Sequence, residues 1–456
     1  MVRSPKKYEI EMINGPIFIN LIRFAVPIIC STVLKLLFHA ADMIVIGRFV
    51  GAQALAAIGA TGQVYTLLIN LFMGFSVGAN VAAARYFGSG KKEEVSQSVH
   101  TSVLMAVLGG VLVAMVSIPA ARPLLRALST PADILDLAVL YISICLAGAP
   151  ITLLYDFCAA ILRAVGDTKR PLYYLMLSGA LNVALNFLFV PILKLGVAGV
   201  AAATVLSQSL STALIVGYLM KYDGDIGIDI KKLKICRDKF LEIIKVGLPA
   251  VLQTSMFTVS NTIIQSAINS FGSAAIAGNS IAGNIEGFVS VPMSGFYQGA
   301  MSFTAQNYGA GKHERFSRIA LSAALLVTCT GLTLGILAVA FARPLIGIYT
   351  SDTAVVDWAV IRMYIMVIPC FISDVGEVYV YCLRGLGNAV TPMITSILGI
   401  CVFRIIWIFT VFAAFHTEFV LYIAYPISWT TTLIAHYICF MIHKKKVSGR
   451  MKTGIV

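Results

Sequence analysis

The chain has 456 residues, 59% of them hydrophobic and only 12% charged, with a formal net charge of +13. A soluble globular protein carries roughly 25% charged residues, so the composition excludes an ordinary soluble domain and points to a chain that crosses a membrane many times. A basic balance can signal nucleic-acid binding, but here the lysines and arginines lie in short loops between apolar runs, where an anionic membrane leaflet is the better partner.

The opening stretch MVRSPKKYEIEMINGP does not read as a signal peptide, because polar residues follow its basic start and no short apolar core or A-x-A site appears. A bilayer crossing needs about 20 predominantly apolar residues. Twelve such runs are expected, at about 17–42, 57–83, 99–119, 136–161, 172–191, 198–220, 242–268, 278–303, 318–341, 356–382, 393–415 and 420–442. The expected fold is an all-α polytopic membrane protein with 12 transmembrane helices in two six-helix lobes related by a parallel internal repeat. The runs are too long for the roughly 10-residue alternating strands of a membrane barrel. Nine cysteines are scattered mostly inside these runs and read as small buried hydrophobes rather than a disulfide framework or a zinc site.

The first run contains Lys35, His39 and Asp42, spaced i, i+4 and i+7 on one helical face. A mid-span carboxylate costs about 2.5–3.5 kcal/mol on insertion scales and usually serves an ion path. The structural alternative is a partner for His39 or Lys35. A lysine seven residues away lies about 10 Å along the helix axis, so His39 is the nearer group. His39 either relays protons, with an unperturbed pKa of about 6.5, or satisfies a hydrogen bond. Lys35 either places positive charge in a cavity, which would disfavour cationic substrates, or snorkels. The fifth run carries Asn182 and Asn186, four residues apart on one face. Their carbonyl oxygens suit a hard cation or a protonated Asp42, and equally suit bonds between helices.

The second half holds its own acids, Glu286 in GNIEGF and Asp374 and Glu377 in SDVGEVYVY, with Arg362 and Arg404 as candidate partners. Buried acid–arginine pairs are often structural. A substrate cavity is the functional reading for Glu286, Asp374, Glu377 and Arg404. FGSGK and YGAGK lack the spacing of a phosphate-binding loop and follow no strand, so they read as helix C-caps and ATP hydrolysis is rejected.

Alternate loops differ sharply in charge: about 25 Lys and Arg in one set against about 5 in the other. The positive-inside rule puts both termini in the cytoplasm. The chain also repeats itself at an offset of 221 residues. MGFSVGANVAAARYFGSGKKEE aligns with SGFYQGAMSFTAQNYGAGKHER, and ILRAVGDTKRP with CLRGLGNAVTP. Matched pairs include Gly74/Gly295, Gly78/Gly299, Gly90/Gly311, Arg163/Arg384 and Gly166/Gly387, and Asp156 falls on Glu377. FAVPII and VGLPAV align one residue out of register. Six spans per half means parallel repeats with the substrate cavity between them. The expected organisation is an N-terminal lobe at 1–220, a polar cytoplasmic linker at 221–241 and a C-terminal lobe at 242–456. Asp42 has no acidic counterpart, since Ile263 or Ile264 occupies its place, and Glu286 faces Tyr65.

Several motifs in order resemble the multidrug and toxic compound extrusion (MATE) family: Asp42 followed by IGRFVGAQALAAIGA, LRAVGDTKRP, NVALN with GVAGVAAATVLSQ, GNIEGF, QNYGAGK, CLRGLGNAVTP and LYIAYPISW. The resemblance covers nearly the whole chain. It implies a plasma-membrane antiporter, a non-enzyme that expels cationic or amphiphilic compounds in exchange for H⁺ or Na⁺, with no other cofactor. It also implies an ion-coupling site at Asp42, Asn182, Asn186 and Thr204. The family pattern has Asn-x-x-x-Asp where this chain has Asn182-Val-Ala-Leu-Asn186. One acid in place of two favours a proton switch over a Na⁺ cage. The expected partners are small molecules and the bilayer, with no nucleic acid, and the expected state is monomeric. The rival readings are a flippase for a lipid-linked oligosaccharide, which Lys35 and Arg404 keep open, and, more distantly, a membrane-embedded transferase, for which the loops are short.

Overall fold

The structure, a computed structural model, describes residues 8–128 and 130–452. Helices occur in the order α1 (Ile17–Phe49), α2 (Ala52–Gly88), α3 (Lys92–Ala127), α4 (Ala132–Ala147), α5 (Ala149–Ala164), α6 (Lys169–Phe187) and α7 (Gly196–Met220). The second half continues with α8 (Arg237–Asn269), α9 (Ser273–Gly309), α10 (Phe316–Ala340), α11 (Ala342–Gly347), α12 (Thr353–Arg362), α13 (Cys370–Gly385), α14 (Val390–Ser396), α15 (Phe403–Trp407) and α16 (Glu418–Lys452). No strand occurs among the described residues, and the fold is all-α, as the apolar runs require. By length and composition seven helices could cross a membrane, or nine if each of two bent pairs is one span. The remaining expected runs fall on α2, α9 and α16, which are 37, 37 and 35 residues long.

Two runs expected as single spans are bent. The α4 and α5 axes meet at 46°, and the stretch Thr353–Val367 meets α13 at 42°. Gly148 stands at the first break with Pro150 just beyond it, and Pro369 stands at the second. Proline lacks the backbone N–H that would continue the helical ladder, and its ring disfavours α geometry in the residue before it.

The repeat is visible in the backbone. Elements α2 and α9 have the same length at a shift of 221 residues, as do the 16-residue α5 and α13. The turns repeat as well: Gly90 and Gly311 have φ of 70° and 72°, and Gly166 and Gly387 have 92° and 82°. A side chain at these left-handed positions would be strained, which explains why both halves place glycine there.

The chain forms two compact units whose limits differ from the expected lobes. The first comprises the described residues up to Ile10 with Cys30–Val251, and the second comprises Glu11–Ile29 with Leu252–Val456. Helices α1 and α8 are therefore each shared, and each changes unit a few residues after a proline, Pro27 or Pro249. The glycine pairs explain where the shared halves pack. In the first unit, a Cβ on Gly78 would run into the backbone of Ile243, and one on Gly74 would meet Val251 and Gly247. In the second, Gly295 lies against Ala25 and Ile29, and Gly299 against Leu21 and Phe24. Small residues four apart let membrane helices approach closely, so α2 receives the start of α8 and α9 receives the start of α1.

The interior of the first unit is built mainly by α3, α5 and α7 around Val99, Tyr155, Ile161 and Ile215, and by α2, α3, α4 and α5 around Ala106, Ile142 and Phe157. In the second unit Phe24 packs edge-on against Phe303 at a centroid separation of 5.8 Å.

Candidate functional site

The buried acid of α1 is the centre of a polar cluster in the first unit. Asp42 is 5% exposed, Asn182 4% and Asn186 fully buried. The Asn186 Nδ2 donates to Asp42 Oδ1 at 2.5 Å and lies 3.3 Å from Asn182 Oδ1. The Thr204 hydroxyl of α7 lies 3.2 Å from Asp42 Oδ2 and 3.0 Å from the Val200 carbonyl. The four residues expected to form an ion-coupling site thus meet at one point. Asn182 and Asn186 do so because helical spacing stacks them on one face. Gly179, one turn before Asn182, lies where a Cβ would collide with the Phe38 ring, so its lack of a side chain lets α1 lie against α6.

The cluster has two hydrogen-bonding alternatives. Threonine has one hydroxyl proton. It can go to Asp42 or to Val200, and in the second case Thr204 Oγ1 is free to accept from a protonated Asp42. The Asn186 Oδ1 is buried without a hydrogen-bond partner among the described residues. Turning that amide over would present this oxygen to Asp42, the orientation that a protonated carboxyl or a cation demands. With the amide as it stands, its N–H faces Asp42, the arrangement that suits an ionised carboxylate.

His39 is exposed on α1 and makes no hydrogen bond to Asp42 among the described residues. Lys35 does not reach Asp42. Its Nζ pairs instead with Asp156 of α5, 3.6 Å from Oδ1, and lies 5.7 Å from the centre of the Tyr155 ring. Sequence reasoning noted Asp156 only as the repeat mate of Glu377. The signal that it bears charge chemistry was there, since it is an acid in mid-run.

In the second unit Glu286 Oε2 pairs with Arg362 Nη2 at 2.8 Å, and Arg362 also donates to the Asn279 carbonyl. Arg404 was expected to be a second partner for these acids. It makes no ion pair among the described residues: its Nε donates to Ser428 Oγ at 2.9 Å, and its guanidinium lies 3.9 Å from the Tyr425 ring and 5.6 Å from that of Trp429. These three residues share one face of α16, which supplies a cation–π seat in place of a carboxylate. Asp374 accepts a long bond from Ser290 at 3.4 Å. Glu377 has no ion pair among the described residues, and Arg384, two turns further along α13, donates to Gln253 at 2.9 Å. Gln253 continues through Ser396 to His436, a buried chain the sequence did not reveal. No group of three or more His, Cys, Asp or Glu among the described residues is placed to hold a metal ion.

Two repeated helical halves with several membrane-length apolar helices, and a buried carboxylate held by amide and hydroxyl groups, define a polytopic membrane protein of the transporter class. The chain belongs to the MatE family: the family model matches it twice, over residues 27–188 and 249–410. That double match is the internal repeat seen at family level, and it makes the chain an integral membrane protein of a multidrug efflux transporter family. Among curated relatives, the probable multidrug resistance protein YoeA of Bacillus subtilis is 24% identical over 439 residues, 93% of this chain and 94% of its own. The probable multidrug resistance protein NorM of Thermotoga maritima is 25% identical over 392 residues, covering 85% and 84%. Among solved structures, a MOP superfamily transporter of Pyrococcus furiosus superposes with a TM-score of 0.90 at 23% identity, covering 98% of this chain and 99% of that one. A MATE crystal structure in the bent conformation gives 0.91 at 22% identity, covering 98% and 100%.

Proposed function

We propose that this protein is a cation-coupled antiporter that exports organic, cationic or amphiphilic compounds across the plasma membrane by alternating access, with both termini in the cytoplasm. The observation that carries the reading is the meeting of Asp42, Asn186 and Thr204 in the interior of one unit. The names of the relatives, multidrug resistance and export proteins, support the substrate class. In the proposed cycle Asp42 takes up the coupling ion from outside. The Asn186 amide turns over and Thr204 redirects its proton to Val200, which alters how α1 sits on α6 and α7 and releases substrate. On the inner side the ion leaves, and substrate binds. Each ligand must change the other's affinity by the same factor, as linkage requires.

The coupling ion is a proton in this reading. The cluster offers a single carboxylate, which suffices to carry a proton, whereas Na⁺ needs a shell of oxygen ligands with their charge. Glu286, Asp374, Glu377 and Arg404 would line the part of the path within the second unit, with Glu286 locked to Arg362. The test is efflux of a fluorescent cation from proteoliposomes driven separately by a pH gradient and a Na⁺ gradient. The expected result is drive by the pH gradient, abolished in Asp42→Asn. Concentrative efflux by Asp42→Asn would end the mechanism, and drive by Na⁺ alone would replace the proton.

A further inference from the structure

The Lys35–Asp156 pair differs from the other acid–base pairs. Its acid is buried, with a side chain 9% exposed, while its base is 48% exposed. The bases of the other well-enclosed pairs are far less exposed: Arg362 is 11% exposed against 19% for Glu286, and Arg170 is 17% exposed over Asp167 at 1%. Those guanidiniums are also held by second contacts, the Asn279 carbonyl for Arg362 and the rings of Tyr8 and Tyr218 for Arg170. Lys35 is held loosely. Its ammonium stands 3.6 Å from the carboxylate, beyond a good hydrogen bond, on a flexible four-carbon stem. Among the described residues it is the only cation within 4 Å of Asp156.

We propose that Asp156, with the Tyr155 ring beside it, is the acceptor for the cationic group of the exported compound, and that Lys35 is a tethered cation which occupies this acceptor until a substrate displaces it. The proposal rests on the reading of the protein as an exporter of organic cations. A carboxylate next to an aromatic face is the chemistry that recognises an ammonium or phosphonium centre. Removing a buried ion's partner is costly, so the acceptor cannot stand empty between substrates, and the tethered ammonium fills it. A short tether holds a competitor at a local concentration on the order of millimolar. A small hydrated cation gains too little to displace it. A lipophilic cation adds the burial of apolar surface and does. Lys35 therefore selects lipophilic cations over small ones. Because it lies on α1 two turns before Asp42, displacement acts on the helix that carries the coupling acid.

Equilibrium binding to the purified full chain tests this at pH 8 without a gradient, with tetraphenylphosphonium and tetramethylammonium as probes. Lys35→Met is expected to bind tetraphenylphosphonium at least tenfold more tightly and to gain measurable binding of tetramethylammonium. Lys35→Arg should keep the wild-type values, and Asp156→Asn should weaken binding at least tenfold in the wild-type and Lys35→Met backgrounds alike. Lys35→Gln serves in place of Lys35→Met if the latter fails to fold. Equal weakening by Lys35→Met and Asp156→Asn would mean that the pair is only a structural tie, and unchanged affinity in both would also overturn the proposal. If the binding shifts appear but no gradient drives efflux, the acceptor stands and the antiport reading alone falls.

Discussion

Gly179 offers the sharpest perturbation of the coupling cluster, because it acts at a distance from the acid itself. The Phe38 ring occupies the space where a Cβ on residue 179 would stand. Gly179→Ala therefore forces the ring, and with it α1, away from α6. Alanine in a helix interior gains about 1 kcal/mol over glycine in propensity, while overpacking a filled contact costs about 1–3 kcal/mol. The two nearly offset each other, so the thermal midpoint of the purified protein should move by only a few degrees. Coupling should suffer far more. Asp42 is four residues beyond Phe38 on α1, and its bond to Asn186 is 2.5 Å long. A hydrogen bond to a charged group is worth about 1.5–3 kcal/mol, so losing this one should reduce pH-driven efflux by about 10- to 100-fold. Phe38→Leu should be nearly silent alone and should restore much of the loss in the double variant. A coupling energy of about 0.5–3 kcal/mol in that cycle is the signature of direct contact. Full activity in Gly179→Ala, or a double variant no better than the single, would refute the argument that α1–α6 approach positions Asp42.

Other parts of the structure give sharp expectations of their own. Arg362→Met strands the partly buried Glu286 and should destabilise the protein by up to about 3 kcal/mol, whereas adding Glu286→Gln should recover most of it; detergent melts of the two variants check this. Asp167 lies in the turn before α6, where its Oδ1 accepts from the Arg170 N–H at 3.1 Å. Burial raises its pKa above the ordinary carboxylate value, against the opposing pull of Arg170. A carboxyl with a raised folded pKa holds its proton more tightly when folded, so its contribution to stability is lost as pH rises through that pKa. Relative to the wild type, Asp167→Asn should thus fare better at pH 8 than at pH 5, by about 2 °C in thermal midpoint. An equal or larger gain at pH 5 would reverse the sign of the argument.

How far these features could be read from the sequence depends on the kind of information each needs. Asp42 announced itself because a carboxylate inside an apolar run is expensive wherever it ends up. The Asn182–Asn186 pair followed from helical spacing alone. Thr204 had no such mark, since a threonine in an apolar helix is ordinary, and only the family resemblance singled it out. Lys35 shows the limit of periodicity. Spacing placed it on the face of α1 that carries Asp42, but could not say that α5 would bring Asp156 within 3.6 Å. Arg404 failed for a related reason. Charge alone pairs an arginine with an acid, while the Tyr425, Ser428 and Trp429 stripe that receives it lies at i, i+3 and i+4 on the last helix.

The division of the chain is the most instructive case. The repeat correctly marked two halves, but a repeat describes ancestry along the chain, and packing follows surfaces. The aligned glycines Gly74/Gly295 and Gly78/Gly299 were in fact the docking grooves. Each groove receives the first stretch of the other half's leading helix, so α1 and α8 belong to both units. Pro27 and Pro249, each just before its helix changes unit, lack the N–H that would continue the helical ladder. The backbone of the device is therefore symmetrical, while its charges are not: Asp42 faces an isoleucine in the repeat and Glu286 faces Tyr65. Two halves of one backbone design carry two differently charged interiors, so the repeat that sets the helices does not set their chemistry.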